Sequence, residues 1–142
     1  MLYRDLDGSE AESPEDLREQ YEAELAEVLE SVGVEEAAAE TGIERDRLDA
    51  LVAGEAPEIT VEEACELLAL SEDEPDAEIV RAEVEDRLLL GMTTAVLDVD
   101  TIAANIQRDL SGKEVHQRVE GRAPMTLAEY AEIHQFIGER KR

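Results

Sequence analysis

Helix start and stop signals punctuate this chain along its length, and they constrain its fold more than any other feature. Ser13-Pro14-Glu15-Asp16 supplies a cap, a proline at the first helical position and an acid three residues after the cap. Thr60 with Glu63, Ser111 with Glu114, and Thr126 with Glu129 repeat that logic. Gly33, Gly54 and Gly121 stand where the apolar spacing stops, as residues just beyond a helix do. Between these marks apolar residues recur at helical intervals: Leu17, Tyr21, Leu25 and Val28, then Leu48, Leu51 and Val52, then Ala64, Leu67 and Leu68. Later sets are Ile79, Val80, Val84, Leu88 and Leu89, then Val115 and Val119, then Leu127, Tyr130, Ile133, Phe136 and Ile137. Apolar types reach 43% but aromatics only 3%, so a core is available and must be built from Leu, Val, Ile and Ala. Such side chains suit closely packed helices better than a sandwich of strands. The expectation is an all-α chain of at least six helices. Met92–Leu97 has the composition of a strand, but no partner strand is in view, so helix or buried loop is expected there.

Residues 1–12 read as a flexible acidic arm and 13–70 as an N-terminal helical unit. Ser71-Glu72-Asp73-Glu74-Pro75 reads as a linker, leaving 76–142 as a C-terminal unit. Placing Gly54 over Gly121 exposes a repeat. Ala37 falls on Ala104, Ile43 on Leu110, Leu48 on Val115 and Val52 on Val119. Ala56-Pro57 then matches Ala123-Pro124. After one skipped residue Thr60 matches Thr126, Glu63 matches Glu129, and Leu67 matches Ile133. Each unit reads as helix, turn, helix, glycine cap, Ala-Pro loop and capped helix, so two repeated units are expected.

The first unit, with Ala38-x-x-x-Gly42-Ile43 followed by Leu48 and Leu51, resembles the helix-turn-helix of the phage-repressor class of DNA-binding domains. The resemblance covers about residues 34–70. It implies that the helix after Gly42 is a recognition helix, and that Leu48 and Leu51 seat it. The second unit departs from the pattern, with Asn105, Asp109 and Arg118 in place of Ala38, Gly42 and Leu51. The chain as a whole is similar to a family of small acidic proteins of salt-loving archaea with no assigned function. That likeness is carried by Gly91-Met92-Thr93-Thr94-Ala95-Val96-Leu97-Asp98-Val99-Asp100 and by Glu120-Gly121-Arg122-Ala123-Pro124-Met125-Thr126-Leu127. It implies a haloarchaeal, salt-rich cytoplasm and brings no activity with it.

The net charge of -25 agrees with a halophilic setting, because self-repulsion of that size fades as salt shortens the screening length. The charge is uneven. Residues 1–90 hold 30 acidic and 6 basic side chains, whereas residues 91–142 hold 8 and 7. Phosphate contact needs local cations, so the second half is the better place for nucleic acid. Lys113, His116, Gln117, Arg118 and Arg122 lie on or just after its presumed recognition helix and include types that read base edges. In the first unit Arg45 and Arg47 are surrounded by Glu44, Asp46 and Asp49, and surface pairing is their simpler role. The alternative to double-stranded DNA at high salt is another protein or a second copy of the chain.

Catalysis is not expected. Two histidines without a Cys or His cluster make no specific metal signal, no phosphate-cradling glycine loop appears, and no cofactor is implied. His134 matches Leu68 in the repeat and should point inward. The lone Cys65 falls on an apolar helix side. Neither a membrane span nor a signal-peptide pattern is evident, so a cytoplasmic location without a membrane partner is expected.

Overall fold

The computed structural model of the chain describes residues 13–140 apart from residues 73 and 107. The arm expected at 1–12, and the terminal Lys141 and Arg142, lie outside the described residues. Among the described residues eight α-helices follow one another: α1 Pro14–Val32, α2 Val34–Thr41, α3 Arg45–Ala53, α4 Val61–Leu68, α5 Ala77–Ala95, α6 Val99–Asn105, α7 Gly112–Val119 and α8 Leu127–Arg140. Among the described residues there is no sheet, only one isolated antiparallel bridge between Thr60 and Thr126.

The caps form as their sequences dictate. Ser13 Oγ accepts from the Asp16 amide at 3.1 Å. Thr60 with Glu63, and Ser111 with Glu114, close reciprocal capping boxes at α4 and α7. Thr126 and Glu129 exchange the same two bonds at α8, at 2.9 and 3.1 Å. Asp98 rather than Asp100 caps α6, accepting from the Thr101 amide at 2.8 Å. The turn between α2 and α3 closes in three residues because Gly42 takes a left-handed φ of 76°. The corresponding turn of the second half, with Asp109 in place of that glycine, runs from 106 to 111 instead. Met92 to Ala95 are helical, so α5 extends further than its apolar spacing alone indicates.

One continuous core runs through both halves of the chain. The two long helices bind the halves together: α1 packs on α8 as well as on α2, α3 and α4, and α5 packs on α4 as well as on α7 and α8. α1 and α5 are alike in detail. Each has 19 residues. Leu17, Tyr21, Leu25 and Leu29 are buried along α1, and Val80, Val84, Leu88 and Met92 occupy the same register of α5. The i,i+4 ion pair Arg18–Glu22 recurs as Arg81–Glu85. Both helices end on a residue with positive φ, Gly33 and Val96. The Thr60–Thr126 bridge is equally reciprocal. The Val61 amide donates to the Met125 carbonyl and the Leu127 amide donates to the Ile59 carbonyl, each at 2.7 Å. These four residues exchange with one another under the alignment that pairs Thr60 with Thr126.

Candidate nucleic-acid interface

α7 holds most of the cationic and amide side chains singled out above, and its helical geometry sorts them into two sets. Val115 and Val119, four residues apart, are buried and define its inner side. Lys113, His116 and Gln117 fall on the opposite stripe, where Lys113 and His116 are exposed and Gln117 is half-buried. Arg118 lies beside Val115 on the inner edge. Its Nε donates to Glu129 at 3.3 Å and its Nη1 donates to the Glu114 carbonyl at 3.2 Å. Its side chain is only 19% exposed. Arg118 is therefore a brace between α7 and the start of α8 and is turned away from the outer stripe. The repeat held the warning, since its counterpart Leu51 is a core residue, 2% exposed.

Arg122 is exposed on the loop after α7, and its Nη2 lies 3.0 Å from Glu120. The other oxygen of that carboxylate lies 2.9 Å from His116 Nε2. Glu120 thus draws Arg122 and His116 together at the C-terminal end of α7 and offsets the Arg122 charge.

The arginines of α3 are committed elsewhere. Arg45 Nη1 donates to Glu35 at 2.9 Å across the turn. Arg47 reaches Glu63 at 2.7 Å and the Glu58 carbonyl at 2.6 Å. Hydrogen bonding from Arg47 holds the Glu63 carboxyl below its ordinary value against the opposing effect of burial, and Thr60 helps. Arg47 in the first half and Arg118 in the second do the same job from different places: each ties the capping-box glutamate of the following helix to the helix before it. Sequence reasoning missed this shared role because the two arginines do not align in the repeat.

Elsewhere the titratable groups serve the core. Tyr21 Oη and His134 Nδ1 share a short hydrogen bond, and Tyr130 packs against both rings. This accounts for an inward histidine at the position of Leu68. Burial pushes both tyrosines up. Cys65 is buried, and desolvation raises its thiol to about 12, far from thiolate chemistry at neutral pH. Among the described residues no group of three or more His, Cys, Asp or Glu side chains is placed to hold a metal ion. A cleft of about 220 Å³ lies between α5 and the loop after α7, and Arg81 in its wall is paired with Glu62 and Glu85. Among the described residues no single helix is long and apolar enough to cross a membrane.

Residues 17–140, from the first buried leucine of α1 to the end of α8, match the family of unknown function DUF5791. The chain belongs to that family. No curated protein and no solved structure matches it.

Proposed function

We propose that this chain is a non-enzymatic, salt-adapted DNA-binding regulator of the helix-turn-helix type, built from two copies of a four-helix unit. The copies are α1–α4 and α5–α8. Support for the duplication comes from the common register of α1 and α5 and from the reciprocal bonds of the Thr60–Thr126 bridge. The first copy retains the tight glycine turn, with Leu48 and Leu51 inward. The second carries the chemistry for nucleic acid.

The observation that carries the reading is the outer stripe of α7. Lys113, His116 and Gln117 stand there without a core role, in the half of the chain that is nearly neutral. Lys113 suits a phosphate and Gln117 suits the edge of adenine. High salt softens the repulsion from the acidic half but also removes the counterion-release gain that drives ordinary binding. Specificity then rests on close contacts, each good base pairing giving about 1–3 kcal/mol of discrimination. Arg118, engaged with Glu129, is not part of the reading surface, and neither are Arg45 and Arg47.

The test is selection of genomic DNA fragments at molar KCl followed by footprinting. The wild type should enrich a defined sequence. Lys113→Ala combined with Gln117→Ala should abolish the enrichment, and Arg45→Ala should leave it intact. Failure of the wild type to enrich any sequence would refute DNA binding and favour the second reading, an adaptor that holds another protein or its own copy. That reading has its own support in the exposed apolar side chains of α5.

A further inference from the structure

We infer that the cleft between α5 and the loop after α7 binds one small apolar amino acid as a zwitterion. The first half of the molecule shows what closes such a place. There Tyr21 and Leu51 are 1% and 2% exposed, and α3 packs on α1 more extensively than α7 does on α5. In the registers described above, Val84 stands for Tyr21 and Arg118 for Leu51. Valine is smaller than tyrosine, and Arg118 turns to Glu129 and the Glu114 carbonyl instead of inward. Both changes withdraw volume from the space between the two helices, and the cleft of about 220 Å³ has both residues in its wall. The hollow beside Arg18, Ala56 and Pro57 of the first half reaches neither Tyr21 nor Leu51.

The lining selects the ligand. Val84, Leu88, Val119, Met125 and Tyr130, all buried, form an apolar floor. Charges of both signs surround it. Arg81 lies in the wall with Nε 3.2 Å from Glu85 and Nη1 3.4 Å from Glu62, and its Nη2 donates to the Gly121 carbonyl at 3.3 Å. The side chains of Glu62 and Arg122 are 60% and 70% exposed, which puts them at the mouth. Their counterparts in the repeat are Ala128 and Glu55, so this carboxylate and this cation are both particular to the second cleft. A lone anion meets Glu62 and Glu85 as well as the arginines, and a lone cation meets Arg81 and Arg122. A ligand with an ammonium and a carboxylate on one carbon satisfies both, the ammonium toward Glu62 and the carboxylate toward Arg122, with its side chain on the floor. The cleft is smaller than the roughly 300–1,000 Å³ of drug-sized pockets, which limits the ligand to a single such residue. Contacts made in a partly buried mouth are also screened less by salt than those on open surface.

This binding requires no nucleic acid and stands apart from the DNA reading. Calorimetric titration of the full chain with L-leucine and with L-methionine at molar KCl, without DNA, tests it, and amide shifts of the isotopically labelled protein locate it. At least one of the two should bind at millimolar concentration or below, with shifts centred on Gly121 to Met125. Isocaproate lacks the ammonium of L-leucine and isoamylamine lacks its carboxylate. Each should bind about tenfold or more weakly, the effect of losing roughly 1.4 kcal/mol. Glu62→Gln and Arg122→Gln change exposed side chains, so both should keep the helical circular dichroism while weakening the amino acid by a similar factor. Val84→Tyr introduces the residue that α1 already carries and should abolish binding by filling the cleft. A wild type that binds neither amino acid overturns the inference. So does binding that is unchanged in both charge variants, or isocaproate bound as tightly as L-leucine, which would assign the cleft to a simple anion.

Discussion

Arg118 shows how one side chain can be judged by what holds it. Its guanidinium bridges a helix carbonyl and a carboxylate that also closes a capping box, and its partner Glu129 is buried. Removing the cation leaves a largely desolvated carboxylate with only the Thr126 amide and its remaining solvent. Arg118→Ala should therefore cost about 1–3 kcal/mol of folding stability. Lys113→Ala, one helical turn and a half away on the exposed side, should stay within about 0.5 kcal/mol. Urea midpoints at a single molar KCl concentration check both. Equal shifts for the two variants would show that Arg118 is not the brace described here.

At the scale of elements, the likeness of α1 and α5 makes their differences informative. Gly91 of α5 is buried against α8, and a Cβ built there would lie 2.9 Å from Ile137 Cγ2. α1 has the half-buried Val28 in the same register, so no such close approach exists on that side. In an open helix Gly→Ala gains about 1 kcal/mol of propensity. At Gly91 the added methyl meets a stiff β-branched side chain, and overpacking of this kind costs about 1–3 kcal/mol. The melting temperature of Gly91→Ala should fall below that of the wild type. A rise would mean that α5 and α8 are further apart than the contact to Ile137 implies.

For the whole molecule the governing quantity is the net charge of -25 gathered largely in the first 90 residues. The screening length is about 30 Å at 0.01 M salt and about 3 Å at 1 M, so repulsion among the carboxylates of α1 to α4 should collapse over that range. Thermal melts followed by circular dichroism should move upward as KCl rises from low to molar concentration. A melting temperature independent of KCl would remove the salt adaptation from the argument. The continuous core adds a constraint: α1 packs on α8 and α5 packs on α4, so repulsion in the acidic half is transmitted to helices of the neutral half.

Local chemistry was sufficient for the helices. Caps and glycine stops depend on a few neighbouring residues, which is why Ser13, Thr60, Ser111 and Thr126 mark their helices correctly and α3 falls at 45–53 as its spacing indicates. The inward direction of Leu51 and His134 was legible for the same reason, since each follows from helical period and the repeat. The likeness of α1 to α5 was not, because Tyr21 aligns with Val84 and Glu24 with Arg87, and the few identities, Arg18 with Arg81, Glu22 with Glu85 and Leu25 with Leu88, stand out only once the shared burial sets the register. Which arginine is spent and which side chain is presented was decided only in three dimensions. Arg118 looks like a base reader until Glu129 is brought beside it by the start of α8. Ile79 and Leu89 share the apolar spacing of α5 but are exposed, because its other side satisfies α4, α7 and α8. Sequence determines a helix's faces through its period; only tertiary packing decides which face is buried, because a helix with two apolar sides can offer just one of them to a given core.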